Sequence, residues 1–567
     1  QEEICQEEWT MVLTGAQIIM ECLLEQGVDT VFGYPGGAVL NIYDALYEYR
    51  DRINHIRTAH EQGAAHAADG YARSSGKTGV CIATSGPGAT NLVTGIATAY
   101  MDSVPVVAIT GNVNLDLLGL DSFQEVDITG ITMPITKHNF LVKDVHKLAD
   151  TIREAFRIAN SGRKGPVLVD IPKDITAQKV EFLPPVPPLP EKHHLFPFEQ
   201  RFEQAMQMLE KAERPFIYAG GGVIASGAFE ALKIFADRLD APVSCSLMCQ
   251  GGFDQTDDRY MGMLGMHGTN TAALAIKNCD LFVAVGTRFS DRVLCNAKLF
   301  AQHCPIIQID IDSAEFNKNI DVDLKLKGDA REILEELNRR LPQHAHPEWM
   351  DNIAGWKAAY PLHQTVSDPD GVTPQEVLET LSDLTDSNAI LCTDVGQHQM
   401  WAAQFYRFRH PRQLITSGGL GTMGFGLGAA LGAQVANPDT HVVNIAGDGS
   451  FHMNCNELAT AVAYNIPVLE IVFNNSVLGM VRQWQKLFYD NRFSQTDLDK
   501  NTDFVKLAEA FGAKAYTIRT KADIRSVLEQ ALALREPVLI DCRIDKDVNV
   551  LPMVPAGASV ESPILEM

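Results

Sequence analysis

The sequence lacks the cysteine spacings that mark structural metal sites and disulfide frameworks. Its 11 cysteines include no CxxC pair, and the closest two, Cys245 and Cys249, have no histidine or second cysteine pair nearby. Zinc ribbons and small secreted scaffolds depend on such closely spaced residues. We therefore expect neither a structural zinc site nor a disulfide framework, and we expect a reducing, cytoplasmic location.

Basic surfaces are missing as well. The sequence contains no run of lysine or arginine, and its formal net charge is −24. A chain this acidic is repelled by nucleic acid and by anionic lipid unless it carries a basic patch. We therefore expect no nucleic-acid partner and no binding to a membrane surface.

Long apolar runs are the third absence. Two segments without charge, 78–101 and 413–438, are interrupted by Gly, Ser, Thr and Pro, whereas a spanning helix needs about 20 mainly apolar residues. The acidic leader at 1–12 has no apolar core, so we do not expect a signal peptide. The glycine-rich segments are more typical of backbone that a ligand approaches closely.

What the sequence does contain is a regular alternation of short apolar runs with helical patterns. Runs such as GVCIAT, VPVVAIT and PVLVDIP are bounded by turns, which is typical of parallel strands covered on both faces. This alternation predicts an α/β protein with three doubly wound parallel-sheet domains. Five prolines in nine residues indicate a stiff linker between the first two. The predicted boundaries are a leader at 1–12, domains at 13–181, 191–345 and 372–567, and linkers at 182–190 and 346–371.

One motif in the last domain carries specific chemistry. The segment HVVNIAGDGSFHMN reads as a strand, a Gly-Asp-Gly turn and a helix, and the next strand ends at Asn474-Asn475. Asp448 and Asn475 should therefore meet at the carboxyl edge of a parallel sheet, where ligands bind. Their oxygens suit Mg²⁺, and Gly447 and Gly449 leave room for phosphate at a helix N-terminus. An ordinary Asp-Gly turn is the alternative, which the strand–helix–strand frame disfavours.

A second motif surrounds Glu61, in the segment RTAHEQGAAHAADGYARSSG. A short β-like run leads into Glu61, and the helix after it is rich in alanine and glycine. Small residues imply close packing, so Glu61 is predicted to be buried, where a carboxyl group prefers to share a proton. A glutamate at a helix start is more often a cap or a partner of the helix dipole, and taken alone Glu61 favours that interpretation.

Together the two motifs resemble those of thiamine diphosphate enzymes, and segments along nearly the whole chain resemble the catalytic subunit of the acetohydroxyacid synthase (acetolactate synthase) family. The most specific of these segments are RFSDRV (288–293), VGQHQMWAAQ (395–404) and GMVRQW (479–484). The resemblance implies decarboxylation of pyruvate and condensation of the remaining two-carbon unit with pyruvate or 2-ketobutyrate, the first common step of branched-chain amino acid biosynthesis.

The resemblance also implies cofactors and roles. Glu61 would activate thiamine diphosphate, Met423 would bend it, Gln124 and Lys173 would line the substrate approach beside Phe123, and Trp484 would favour 2-ketobutyrate. Core filling by Met423 and surface packing by Trp484 are the alternatives. Mg²⁺ would be held by Asp448, Asn475 and the carbonyl of Val477. Thiamine diphosphate would contact Tyr34, Pro35, Gly36, Pro87, Asn91, Gln397, His398, Gly421, Met423, Gly447, Gly449, Ser450 and Met480.

FAD is the remaining implied cofactor, and in this family it is not reduced during the synthase reaction. The segment RFSDR favours the flavin-binding, biosynthetic type over the flavin-free, catabolic type. The implied FAD contacts are Arg163, Gly221, Gly222, Ser246, Leu247, Met248, His267, Arg288, Asp291, Arg292, Asp310, Ile311 and Asp329.

The implied partners are a second copy of the chain, as a homodimer or homotetramer, and a small regulatory subunit. One loop departs from the family: GQVPRRMIG is replaced by GNVNLDLLG at 111–119. The loss of two arginines weakens electrostatic steering of an anionic keto acid. Other functions stay open, namely a pyruvate oxidase-like enzyme and a catalytically silent regulatory protein. A nicotinamide dehydrogenase is disfavoured because no GxGxxG fingerprint follows a first-domain strand.

Overall fold

The fold is seen in a computed structural model that describes residues 11–183, 199–364, 368–498 and 502–566. Most of the predicted leader and of the proline-rich linker lies outside these residues. The chain divides into two compact units. The first contains the chain up to residue 193 together with 419–422 and 431–435, and the second contains the rest. Among the described residues, no helix has both the length and the apolar character needed to cross a bilayer.

The first unit is built around a six-stranded parallel sheet of order β3-β2-β4-β5-β7-β6, and β1 pairs with β8 in an antiparallel ribbon. Its strands are β1 Met11–Thr14, β2 Thr30–Gly33, β3 Asn54–Arg57, β4 Gly79–Ala83, β5 Val106–Asn112, β6 His138–Leu141, β7 Val167–Pro172 and β8 Lys179–Phe182. Its helices are α1 Gly15–Glu25, α2 Leu40–Glu48, α3 Glu61–Ser75, α4 Pro87–Asn91, α5 Val93–Met101, α6 Ile128–Thr132, α7 Leu148–Asn160 and α8 Lys173–Ala177.

Helix α3 packs unusually close to the sheet. Its predicted small residues are buried on almost every face, and it ends at Gly76, which adopts the left-handed conformation of a helix C-cap. At the start of β4, a Cβ on Gly79 would lie 2.0 Å from the carbonyl oxygen of Ala68 in α3. The absence of a side chain at Gly79 therefore sets how closely β4 approaches α3.

We expect Gly79→Ala to destabilise the first unit by about 1–3 kcal/mol, because the clash is with backbone that cannot turn away. Thermal unfolding followed by calorimetry measures the effect as a lower transition temperature than that of the wild type. Gly355→Ala is the matched control, since nothing lies within 4 Å of its added Cβ in a helix. The control should be neutral or stabilising by up to about 1 kcal/mol. Equal transition temperatures for the two variants would contradict the packing argument.

The second unit contains two further sheets, and the central one has the parallel order β11-β10-β9-β12-β13-β14. Its strands are β9 Pro215–Ala219, β10 Val243–Cys245, β11 Tyr260–Met263, β12 Leu281–Val285, β13 Ile306–Asp310 and β14 Leu324–Lys327. The helices around it are α9 Glu199–Lys211, α10 Gly221–Ser226, α11 Phe229–Leu239, α12 Asn270–Asn278, α13 Asp291–Leu294, α14 Ala330–Arg340 and α15 Pro347–Ala359.

Helix α15 occupies much of the stretch 346–371, which was predicted to be a linker. Trp349 and Ile353 of this helix are almost fully buried, and the Trp349 indole nitrogen donates to the carbonyl of Pro215 at 3.0 Å. The prediction relied on the proline and histidine content before the helix. Proline is favourable at the first turn of a helix, so this composition marked a helix start as well as a connector.

The last sheet has the parallel order β16-β15-β17-β18-β20-β19. Its strands are β15 Ile390–Thr393, β16 Leu414–Thr416, β17 Val442–Gly447, β18 Leu469–Asn474, β19 Lys514–Ile518 and β20 Val538–Arg543. The helices of this region are α16 Pro374–Leu384, α17 Gln397–Phe405, α18 Gly426–Ala436, α19 Asp448–Phe451, α20 Leu458–Ala463, α21 Gly479–Phe488, α22 Phe504–Phe511 and α23 Lys521–Ala533. The predicted α/β class with three parallel sheets is confirmed.

Candidate active site

A cleft opens at the carboxyl edge of the last sheet, where ligands bind in folds of this kind. About 490 Å³ of space, part of it open to solvent, lies between its lining residues. Strands β17 and β18 are parallel neighbours, so the residues that follow them meet in this cleft. Ten of the predicted site residues line it: Gln397, His398, Met423, Gly447, Asp448, Gly449, Ser450, Asn475, Val477 and Met480.

Asp448 is held in place by backbone donors. It begins the short helix α19 and is almost fully buried. Its Oδ1 accepts from the Gly449 nitrogen at 2.9 Å, and its Oδ2 accepts from the Ser476 nitrogen at 2.7 Å. The Asn475 Oδ1 likewise accepts from the Val477 nitrogen at 3.1 Å. Carboxylate and amide oxygens oriented in this way suit a hard cation such as Mg²⁺.

Gln397 and His398 begin helix α17 and turn unpaired polar atoms toward the same cleft. The His398 Nε2 and the Gln397 Oε1 are buried and have no hydrogen-bond partner among the described residues. Burial lowers the pKa of His398 to about 3, so its imidazole is neutral at working pH. Buried polar atoms without partners call for a ligand or water, because leaving them unpaired costs free energy. Because the Gln397 Oε1 can only accept, this pair fits a polar ligand that carries a hydrogen-bond donor, or an ordered water.

Glycines give these two side chains their room. A Cβ on Gly447 would lie 2.9 Å from the His398 Nδ1, and one on Gly479 would lie 2.0 Å from the Gln397 Oε1. Gly447 and Gly449 were predicted to leave space for phosphate. Gly447 also leaves space for His398, which the sequence pattern did not indicate.

Asp394 is a supporting residue that the sequence analysis missed. It follows β15, and its Oδ1 accepts from the nitrogens of Val395 at 2.9 Å and Gly424 at 2.7 Å. Burial raises the pKa of Asp394 to about 6. The hydrogen bonds anchor the loop that carries Met423 beside the cleft. Its position after the strand AILCT was the available signal.

Trp484 and Gly421 are placed apart from the cleft lining. Trp484 lies on α21, is half-buried, and packs its ring against Phe488 at 5.5 Å between centroids. It shares this helix with Met480, which does line the cleft. Gly421 is exposed, adopts φ 71°, and belongs to the first unit.

In the first unit, Glu61 begins α3 and is buried, as predicted. Its Oε2 accepts from the Asn91 Nδ2 at 2.9 Å. Gly88, one residue after Pro87, also lies close to Glu61. A Cβ on Gly88 would lie 3.3 Å from the Glu61 Oε1. The structure therefore brings Glu61 together with Pro87 and Asn91 of α4.

Gln124 reaches the same neighbourhood from a strained turn. It adopts a left-handed conformation with φ 59°, and a Cβ on Gly86 would lie 2.9 Å from the Gln124 Cα. Its neighbour Phe123 is 87% exposed. Strained, non-glycine backbone persists only where surrounding structure holds it, and such positions concentrate at functional sites.

The other predicted residues of this unit follow its strands. Tyr34, Pro35 and Gly36 come directly after β2, and a Cβ on Gly36 would clash with the side chain of Thr84 at 2.5 Å. Lys173 begins α8 after β7. In the altered 111–119 loop, the Leu115 nitrogen donates to the Asp174 Oδ1 at 3.1 Å. The altered loop is thus tied to the residue next to Lys173.

A buried ion cluster in this unit was also missed. The guanidinium of Arg73 lies between Asp69 and Asp102, and its Nη2 donates to the Asp102 Oδ2 at 3.0 Å. Asp102 in turn accepts from the Gly419 nitrogen at 2.7 Å. Burial raises the pKa of Asp69. The cluster therefore connects α3, which carries Glu61, to the glycine-rich segment that begins at Gly418.

The predicted FAD residues gather at the carboxyl edge of the central sheet. Each of its six parallel strands is followed by at least one of them. They are Gly221 and Gly222 after β9; Ser246, Leu247 and Met248 after β10; His267 after β11; Arg288, Asp291 and Arg292 after β12; Asp310 and Ile311 at the end of β13; and Asp329 after β14.

Some polar side chains at this edge lack a hydrogen-bond partner among the described residues, whereas others already bond within the protein. Within the part of the chain that the structure describes, the buried His267 Nδ1 has no hydrogen-bond partner, and burial lowers the pKa of His267 to about 4. The Asp329 carboxylate instead accepts from the Arg331 nitrogen at 2.9 Å and caps α14. Arg163, the remaining predicted contact, lies in the first unit, where its Nε donates to the Ser103 Oγ at 2.8 Å.

Comparison with known protein families identifies the class. Three family models match: the N-terminal TPP binding domain of thiamine pyrophosphate enzymes at 13–131, their central domain at 202–337, and their C-terminal TPP binding domain at 394–542. Thiamine pyrophosphate is another name for thiamine diphosphate. The chain is thus built from the domains of a thiamine pyrophosphate enzyme.

Similar proteins with assigned functions show which thiamine pyrophosphate enzymes this chain resembles most specifically. The acetolactate synthase isozyme 2 large subunit of Escherichia coli is 47% identical over 96% of this chain and 98% of its own length. The probable acetolactate synthase large subunit of Methanocaldococcus jannaschii is 46% identical over 96% of this chain and 94% of its own. The chain belongs to the acetolactate synthase large-subunit family, and the predicted resemblance is confirmed.

Proposed function

We propose that the chain decarboxylates pyruvate and joins the remaining two-carbon unit to a second 2-keto acid, giving 2-acetolactate or 2-aceto-2-hydroxybutyrate. One observation carries the proposal. The oxygen ligands of Asp448 and Asn475 line one cleft together with the glycine backbone at Gly447 and Gly449, as a cation and a diphosphate together require. Family membership supplies the reaction class.

In this proposal Asp448, Asn475 and the carbonyl of Val477 would hold Mg²⁺, which would offset the charge of the diphosphate. When bound, thiamine diphosphate would supply the nucleophilic carbon for the reaction with the keto acid. The Gln397 Oε1 would accept from a donor of the bound group or from a water, and the His398 Nε2 would find its partner in the same cleft. Met423, on the loop anchored by Asp394, limits the shape that the cleft accepts.

The first unit contributes proton handling and substrate orientation. We propose that Glu61 holds a proton in a hydrogen bond to the cofactor, with Asn91 fixing the other carboxyl oxygen. Gln124 and Lys173 orient the keto acid, and Lys173 supplies the positive charge for its carboxylate. The 111–119 loop, whose one charged residue is Asp116, adds no second cation, which predicts weaker attraction of the substrate at low salt.

We propose that FAD lies along the carboxyl edge of the central sheet, in contact with His267 and Arg288. A Cβ on Gly222 would lie 2.6 Å from the Gly286 Cα, so glycine at this position lets the start of α10 pack directly against the end of β12 at this edge. The purified protein is denatured, and the visible absorbance of the released material is measured. Release of FAD would support the proposed FAD site.

Assembly and location complete the proposal. The relatives are named large subunits, and we propose that this chain likewise pairs with a smaller regulatory subunit and forms a homodimer or homotetramer. We also propose a cytoplasmic location. Native mass spectrometry with and without a candidate small subunit measures both stoichiometries.

A product assay tests the activity. The chain is incubated with thiamine diphosphate, Mg²⁺, FAD, pyruvate and 2-ketobutyrate, and both hydroxyacids are quantified. Formation of 2-aceto-2-hydroxybutyrate and 2-acetolactate supports the proposal. Acetate or acetaldehyde without either hydroxyacid would contradict it and favour an oxidase or decarboxylase. Acetolactate production by flavin-free protein would indicate the catabolic type.

Acceptor choice gives a sharper prediction at Trp484. An extra methylene in an apolar pocket is worth only about 1–3 kcal/mol, and a large aromatic wall can supply it. We expect Trp484→Leu to lower the preference for 2-ketobutyrate over pyruvate about 10-fold or more, measured as the product ratio with both acceptors present. Trp356→Leu, a half-buried tryptophan on α15, should leave the ratio unchanged. An unaltered ratio in Trp484→Leu would remove the assigned role.

A further inference from the structure

Three side chains of the types that can ligate metals meet beside the central sheet, and none of them lines the cleft. Cys279 follows the end of α12, and His303 and Cys304 precede β13. One ligand atom from each of the three lies within 4.8 Å of the other two, and the two Sγ atoms are 3.6 Å apart. Because 25 residues separate the cysteines, no short ligand spacing marks the cluster in the sequence.

We propose that Cys279, His303 and Cys304 form a binding site for one Zn²⁺-like cation. Zinc takes thiolate and imidazole ligands tetrahedrally with Zn–S distances of about 2.3 Å, which places two thiolates about 3.8 Å apart. The observed sulfur separation of 3.6 Å already matches this geometry. The site therefore needs only a small inward movement of the imidazole.

The burial of the ligands defines the type of site. Cys279 is 2% exposed and Cys304 is 9% exposed, whereas His303 is exposed. In a tetrahedral site, the two buried sulfurs and the exposed His303 imidazole would supply three ligands, and water would take the fourth position. Binding forms two Zn–S bonds and one Zn–N bond, and the two thiol protons pass to solvent.

The surrounding charge favours a cation. Asp280, Asp323 and Glu561 are close enough to act electrostatically on Cys304. Backbone donors hold two of these carboxylates in place: the Arg214 nitrogen donates to Asp280 at 2.9 Å, and the Ile306 nitrogen donates to Asp323 at 2.8 Å. A divalent cation in the cluster would offset their combined negative charge.

The ligand chemistry separates this site from the predicted Mg²⁺ site. Sulfur and imidazole select Zn²⁺ and related soft cations, whereas the oxygens of Asp448 and Asn475 select Mg²⁺. A cation here would connect the end of α12 to the start of β13. We therefore expect a structural effect on the central sheet and no direct part in catalysis.

Metal titration of the full-length, fully reduced protein tests the proposal. Zn²⁺ is added in competition with a chromophoric chelator, in the presence of excess Mg²⁺, and Co²⁺ is used separately as a spectroscopic probe. We expect one tight equivalent of Zn²⁺, and with Co²⁺ a thiolate-to-metal charge-transfer band. His303→Ala should weaken Zn²⁺ binding at least about 10–100-fold, and Cys304→Ser should abolish the charge-transfer band of a two-thiolate site.

Cys455→Ser is the matched control, because this half-exposed cysteine lies outside the cluster, and it should bind Zn²⁺ as the wild type does. Unchanged affinity in both cluster variants would overturn the proposal. So would a Cys279–Cys304 disulfide that forms in air with no cation uptake after its reduction. If a cluster variant fails to fold, the Co²⁺ spectrum of the wild type decides, since absence of the thiolate band also overturns the proposal.

Discussion

Replacing Glu61 with glutamine should lower kcat about 10²–10⁴-fold while the protein still folds and binds thiamine diphosphate. Glutamine preserves the size of the side chain and an oxygen that accepts from the Asn91 amide, which is 2.9 Å from the carboxylate. It cannot hold a proton at the second oxygen. The change therefore removes the proton function and leaves the packing of buried α3 nearly intact.

Steady-state turnover of pyruvate measures the loss, and a cofactor titration followed by circular dichroism measures binding separately. Glu48→Gln is the control, because Glu48 is exposed and accepts a hydrogen bond from Gln17 on the surface of the same unit. Its activity should match the wild type. Near-normal turnover in Glu61→Gln would refute the activating role, and loss of cofactor binding would reassign Glu61 to cofactor retention.

Replacing Asp448 with asparagine should weaken the apparent affinity for Mg²⁺ and thiamine diphosphate by about 100-fold or more. The carboxylate lies in the cleft with both oxygens accepting from backbone nitrogens, those of Gly449 and Ser476. An asparagine must turn its amide donor toward one of these nitrogens and also loses the charge that attracts the cation. Activity at saturating cofactor should recover in part.

The measurement is activity as a function of cofactor and Mg²⁺ concentration, with binding checked by fluorescence. Asp439→Asn is the control, since Asp439 is an exposed aspartate before β17. Unchanged cofactor affinity in Asp448→Asn would show that the cation is held elsewhere. A uniform loss of kcat with no change in affinity would likewise contradict the assigned ligand role.

The strands of the sheets could be predicted well because their sequence signal is local. Apolar runs such as GVCIAT and VLEIVF are covered on both faces, and each forms a buried strand close to its predicted place. The edge strands β6 and β19 are partly exposed and carry no such run, so the pattern did not reveal them. Helix α15 was missed because its burial depends on the distant Pro215.

By itself, the sequence determined the α/β class, the three parallel sheets and the motif residues, because strand periodicity and the GDG and HEQGA motifs are written in neighbouring positions. Only the tertiary structure decided what these residues contact. Asp394 anchors the loop of Met423, and Cys279 meets Cys304, although in each case the partners are far apart in the chain. The packing of distant elements likewise leaves the buried His398 Nε2 and Gln397 Oε1 without partners among the described residues. Such contacts arise from packing across whole sheets, and a single sequence carries no local pattern for them.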